Sequence, residues 1–305
     1  MEGDDDWCSG SLVNDGLRSI YRDKHPASCP TKRRIPPTSF ADTYPSLGLG
    51  SRVYGNTLNT QVQEGEHGEN IMRGRVPEML LGVGFLGIMT TLYLGLNWAP
   101  SVSINAFESP AAQRIFYWHV PSAWAAFIAF GVLFVGSALW FFKRSPVGWR
   151  LHVAGTEAGL ACGLMTVWSG CVWGAAEWGT PWDWTDVRLN TFGLLTLLAL
   201  FLVLGRQSQP DGVETRDTFS TFGLFGFVLV PLTYIATRIW QIRHPGPVIA
   251  AGDDGGSLQS DMSLVLLIGA LSFTLFIIGH MLISMRITHL EQRLESAQKS
   301  LDGGN

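Results

Sequence analysis

The chain has 305 residues, of which 47% are hydrophobic and only 15% charged, a balance too apolar for two ordinary soluble domains. A net charge of -4, from 21 basic and 25 acidic residues, provides no basic surface for nucleic acid and no acidic tail. The four cysteines, Cys8, Cys29, Cys162 and Cys171, have no metal-ligand spacing and do not form the pattern of a disulfide scaffold.

Residues 1–72 form a polar leader rich in Asp, Gly, Ser, Thr and Pro, with a basic cluster at Lys32, Arg33 and Arg34. It holds no apolar run as long as a signal-peptide core, and with so little apolar surface to bury it is expected to be disordered. Met72, followed by Arg73 and Arg75, would itself make an ordinary beginning for a bacterial membrane protein. The remainder divides into a membrane domain over 73–290 and a polar tail over 291–305.

From Met79 the sequence alternates between apolar stretches and short polar connections, and a bilayer core about 30 Å thick asks for about 20 residues per helix. Six stretches qualify, at about 79–98, 115–142, 153–176, 189–205, 218–237 and 262–285; the fourth is short but free of charge. They are continuously apolar, where a barrel strand would alternate. The expected fold is therefore all-α: a polytopic membrane protein with six transmembrane helices and a Trp-rich external segment between helices 3 and 4. The third stretch carries one acid, Glu157, close to its inner end, and an intramembrane acid is a functional candidate by default.

Ten Lys or Arg residues flank the spans on one side, among them Arg73, Lys143, Arg206 and Arg286, against four on the other: Arg114, Arg188, Arg238 and Arg243. The richer side, with both chain termini, is expected to be cytoplasmic. Whatever the orientation, connections 1–2, 3–4 and 5–6 share a face, because each span reverses the direction of the chain.

Three segments on that face stand out. Connection 3–4 packs Trp173, Trp178, Trp182 and Trp184 into 12 positions, among Glu177, Asp183, Asp186 and Arg188, with Gly179 and Pro181 shaping the backbone. An interfacial aromatic belt would spread its Trp residues over many helix ends. Concentration in one connection instead suits a flat apolar shelf with a polar rim, which would receive a large planar ligand such as a porphyrin. The second segment, at the entry to helix 2, contains Arg114, Trp118, His119, Pro121 and Trp124; Pro121 fits a first helical turn, which would place His119 beside a defined helix start. The third, Arg243-His244-Pro245-Gly246-Pro247, is a rigid turn after helix 5. Either His alone would be an ordinary interfacial or turn residue. Both on one face with the Trp shelf fit a haem iron site. His152, His280 and His289 fall near the opposite face, and His25 and His67 in the leader.

Together these segments resemble the cytochrome c maturation protein C family (CcmC), haem-handling proteins of the tryptophan-rich (WWD) group, over about residues 75–285. The family's Arg-x-x-Tyr-x-His-Val-Pro-x-Ala-Trp run is met by Arg114, Tyr117, His119, Val120, Pro121, Ala123 and Trp124, and its Trp-rich pattern by Trp178, Gly179, Thr180, Trp182, Trp184, Asp186 and Arg188. Its second His, ahead of helix 6, corresponds to His244. In many relatives the Asp directly follows the last Trp; here Thr185 intervenes, so Asp183 is a second candidate for part of the role of Asp186.

The resemblance implies a bacterial inner-membrane protein, not an enzyme, that holds haem b as cargo on the periplasmic face. His119 and His244 would be the axial ligands of the iron, with Trp178, Gly179, Trp182, Trp184 and Asp186 around the ring and Arg114 and Arg188 toward the propionates. It also implies delivery to the haem chaperone CcmE during cytochrome c biogenesis, beside the ABC transporter pair CcmA and CcmB and the small membrane subunit CcmD. The competing reading is a haem b anchor of a quinone-linked redox enzyme, but such anchors place His pairs inside facing helices. An alternating-access transporter would call for paired broken helices, and Pro231 interrupts only the fifth stretch.

Overall fold

The computed structural model describes residues 74–100, 108–239 and 258–302. The leader, Arg243 and His244 lie outside the described residues. Every element among those residues is helical: α1 (Val76–Asn97), a 3-10 turn (Ala112–Ile115), α2 (Phe116–Lys143), α3 (Pro146–Trp178), α4 (Val187–Ser208), α5 (Val213–Gly226), α6 (Leu229–Ile239) and α7 (Ser260–Asp302). Six segments are long and apolar enough to cross a bilayer, namely α1, the 3-10 turn with α2, α3, α4, α5 with α6, and α7. Large apolar side chains such as Leu86, Leu197 and Leu267 point outward from them, as a lipid-facing surface requires.

Three details differ from the sequence reading. The fifth span is two helices, broken at Phe227 and Val228, where the amides of Val228 and Val230 bond to Phe225 and Phe227 in short i→i−3 steps. Pro231 is the cause, because it lacks an N–H and its ring crowds the carbonyl of Phe227 four residues earlier. Pro121 is not in the first turn: α2 begins at Phe116 out of the 3-10 turn, so Pro121 sits inside the helix, and the Ser122 hydroxyl bonds the His119 carbonyl beside it at 2.9 Å. The helix that carries the last span does not stop with the apolar stretch near residue 285, for α7 continues unbroken to Asp302.

Inside a membrane, water cannot drive helices together, so close backbone approach and hydrogen bonds between helices do that work. The α2–α3 hairpin turns at Arg144, in the left-handed region at φ 53°, and α3 restarts at once with Ser145 as its cap and Pro146 in its first turn. At Gly155 the two helices touch so closely that a Cβ would lie 2.4 Å from the Leu133 amide nitrogen. Along the same seam Ser137 meets His152 Nδ1 at 2.9 Å and Ser122 meets Thr166 at 2.9 Å. The α1–α7 pair uses the same device: a Cβ at Gly279 would stand 2.5 Å from the Leu81 nitrogen. Glu157 ties three spans, accepting from Arg206 of α4 at 2.5 Å and from Ser284 of α7 at 2.6 Å.

Candidate functional site

The site grows from the end of the bundle where α1 stops, α2 begins and α3 stops. A small apolar cluster fills that end, separate from the main core: Ala99, Phe116, Tyr117, Trp173, Met262, Val265 and Leu266. Two polar contacts anchor connection 1–2 above it. Arg114 Nη1 donates to the carbonyls of Gly95 at 2.8 Å and Leu96 at 2.5 Å, placing a cation at the negative end of α1. Glu177, in the last turn of α3, accepts from the backbone amides of Glu108 at 3.0 Å and Ser109 at 2.9 Å.

His119 lies in the first turn of α2 and is held from α3. Its Nδ1 is 3.1 Å from Ser169 Oγ, and its ring meets Trp173 edge to face at 5.9 Å. Trp173 is in turn packed against Phe116. Gly170 leaves room for the imidazole, since a Cβ there would lie 3.0 Å from His119 Cε1.

Gly179 ends α3 in the left-handed conformation at φ 71°, a cost-free position for a residue without a Cβ, and the chain turns into the Trp-rich loop. Asp186 then caps α4, its carboxylate accepting from the amides of Arg188 at 2.9 Å and Leu189 at 3.2 Å. Asp183 folds back on Thr185, accepting from its amide at 2.9 Å and its hydroxyl at 2.6 Å. The two acids that the sequence left as alternatives thus have different places, one at a helix start and one in a local turn.

Trp182 lies against α4, where Gly193 makes room for it, and donates to Asn190 Oδ1 at 3.2 Å; Asn190 Nδ2 donates back to the Trp184 carbonyl at 2.7 Å. Trp182 and Trp184 are tilted at 60° with centroids 5.9 Å apart, and Trp184 is 81% exposed. A cleft under this loop is lined by Gly170, Trp178, Pro181, Trp182, Asp186 and Leu189. Gly170 therefore faces both the His119 ring and the cleft, which joins the His119 and Trp-rich segments into one site. The enclosed space is ≈ 20 Å³, room for about one water. This space is too small for a porphyrin, so a haem held here would have to lie on the outer side of the loop, where Trp184 is exposed. Arg188 has no ion pair or side-chain hydrogen bond among the described residues.

Comparison with known proteins places the chain in a family. The CcmC family model, described as heme exporter protein C, matches residues 68–300. The chain belongs to the heme exporter protein C family. It is 27% identical to the heme exporter protein C of Bradyrhizobium diazoefficiens over 216 residues, covering 70% of this chain and 81% of that protein. It is 30% identical to the Rhodobacter capsulatus heme exporter protein C over 165 residues, 52% of this chain and 66% of that protein. A ccmC-like mitochondrial cytochrome c biosynthesis protein of Marchantia polymorpha is 26% identical over 170 residues, 56% of this chain and 70% of its own length. Family membership and the six spans together make the chain a multi-pass membrane protein of the haem-export system.

Three residues that shape the site were not singled out from the sequence, namely Ser169, Gly170 and Asn190. Glu177 stood among the Trp residues and was readable as a polar neighbour. Asn190 follows Asp186 by one helical turn, a spacing that lets a polar side chain fold back over a preceding loop. Ser169 and Gly170 gave no local signal, because their partner His119 is 50 positions away.

Proposed function

We propose that this protein binds haem b at the outer face of the membrane and passes it to the periplasmic haem chaperone CcmE for cytochrome c maturation. His119 and His244 supply the two axial nitrogens, and Trp178, Trp182 and Trp184 receive the macrocycle. The observation that carries the proposal is the meeting of His119 and the Trp-rich loop across Gly170 at one end of the bundle.

The chemistry of the donors supports the assignment. An imidazole and a shelf of indoles offer the iron a nitrogen and the ring an apolar surface. Arg188 offers the propionates a guanidinium, which binds carboxylates in a bidentate way. Arg114 is the weaker propionate partner, since its Nη1 already serves the carbonyls that end α1. Gly179 and Asp186 act on haem indirectly, by setting the two ends of the loop. Shallow holding suits a cargo: one edge of the ring stays open to a soluble acceptor. The spans are oriented with both termini cytoplasmic, and CcmA, CcmB and CcmD are the expected neighbours in the membrane, with ATP hydrolysis on the transporter side.

The test is haem content and the visible spectrum of purified protein with His119→Ala, His244→Ala and both. Each single variant is expected to lose haem and shift the Soret band. Unchanged haem content and spectrum in the double variant would refute the assignment.

A further inference from the structure

We infer that Ser169 is a positioning residue that holds His119 as the Nδ1–H tautomer and so presents Nε2 to the haem iron. The inference rests on the reading of His119 as an iron ligand, and adds which nitrogen does the binding and what fixes it.

Proton counting around Ser169 carries the argument. A serine hydroxyl has one proton and two lone pairs. Ser169 Oγ lies 2.7 Å from the Met165 carbonyl and 3.2 Å from the Thr166 carbonyl, and a carbonyl only accepts, so the hydroxyl proton is directed back into α3. What Oγ has left for His119 Nδ1, at 3.1 Å, is a lone pair. Nδ1 must then be the donor. A neutral imidazole has a single N–H, so Nε2 keeps its lone pair.

Two neighbours stop the ring from escaping this choice by rotation. Trp173 stands edge to face with it at 5.9 Å, and Gly170 fits against Cε1 with no Cβ in the way. The Ser122–Thr166 contact one turn further in locks α2 and α3 in register, so that Ser169 and His119 stay opposite each other. The acceptor is also matched to a transient load. A carboxylate behind Nδ1 would push the imidazole toward imidazolate and tighten the iron bond, whereas a hydroxyl orients the ring with less effect on its basicity.

The test combines one measurement on the unaltered chain with two variants. In the 15N spectrum of histidine-labelled apoprotein, with the His119 signals assigned by their loss in His119→Ala, Nδ1 is expected to carry the proton. A protonated Nε2 in the neutral ring would overturn the inference, and this readout does not depend on any variant folding. In haem-loaded protein, Ser169→Ala is expected to release haem to apomyoglobin about 10-fold faster and to change the low-spin ferric EPR signal. Ser169→Thr, which keeps the hydroxyl, should restore both. Release and EPR in Ser169→Ala identical to the parent would also overturn it. If instead His119→Ala keeps its haem and spectrum, it is the ligand reading that fails, and the apoprotein tautomer still reports on Ser169.

Discussion

Asp186 directs its carboxylate to the amides of Arg188 and Leu189, while two positions earlier Trp184 turns its indole outward to 81% exposure. One belongs to the scaffold and the other to the surface on which the proposed ligand would lie. Replacing a capping Asp by Ala costs about 1 kcal/mol, whereas Asn caps as well as Asp. Asp186→Asn is therefore expected to keep both haem retention and melting temperature, and Asp186→Ala to lower the melting temperature. Haem loss in Asp186→Asn as complete as in Asp186→Ala, measured on purified protein, would show that the charge acts on the ligand directly. At this scale Gly179 was legible as a residue that shapes the backbone of the loop, whereas Asp186, assigned to the surroundings of the ring, is a helix cap in the structure. The sequence was silent on Ser169, whose role exists only once α2 and α3 lie side by side.

The spans themselves were legible, because each is a continuous apolar run of membrane length and nothing else in the chain competes with that pattern. Their ends were less so. Ser145 and Pro146 start α3 seven residues before the apolar stretch does, and α7 runs on past the membrane as a polar helix to Asp302. The break between α5 and α6 follows from Pro231, a local cause. Glu157 shows the other kind of information, the kind that hydropathy lacks. By composition it is an acid in a membrane helix; by position it accepts from Arg206 and Ser284 and knits α3, α4 and α7. Its seat lies toward the start of α3, whereas Ser169 and Gly170 lie toward the end, so its loss is expected to weaken the bundle and spare the site. Glu157→Ala should cost about 2 kcal/mol, because a partly buried guanidinium loses its nearer partner and keeps only Glu291 at 3.9 Å, and lower the melting temperature in detergent by ~5 °C. The haem spectrum should not change. A shifted Soret band with an unaltered melting temperature would mean that Glu157 communicates with the ligand.

Across the whole molecule, the parity of six spans places connections 1–2 and 3–4 at the same end. The contacts of Glu177 with Glu108 and Ser109 and of His119 with Ser169 bring them together there. At the opposite end of the α2–α3 hairpin His152 stacks on Trp149 at 4.7 Å and bonds to Ser137, while Arg216 lies over Trp140 and Trp149. That end also has histidine beside indole, but His152 is buried, and the cavity of about 380 Å³ beside Trp149 is lined by Arg206, Asp211, Glu291 and Glu295. The two ends thus differ in chemistry: the Trp-rich loop exposes an indole at Trp184, whereas the cavity at the other end is lined mostly by charged and polar side chains, and the proposed haem site is the former. An electron cryomicroscopy map of the haem-loaded protein in a lipid nanodisc tests this most directly. The account predicts iron bonded to Nε2 of His119, with the macrocycle lying along Trp182 and Trp184 outside the bundle. Iron beside His152, His280 or His289, or a porphyrin enclosed at mid-membrane depth, would contradict it.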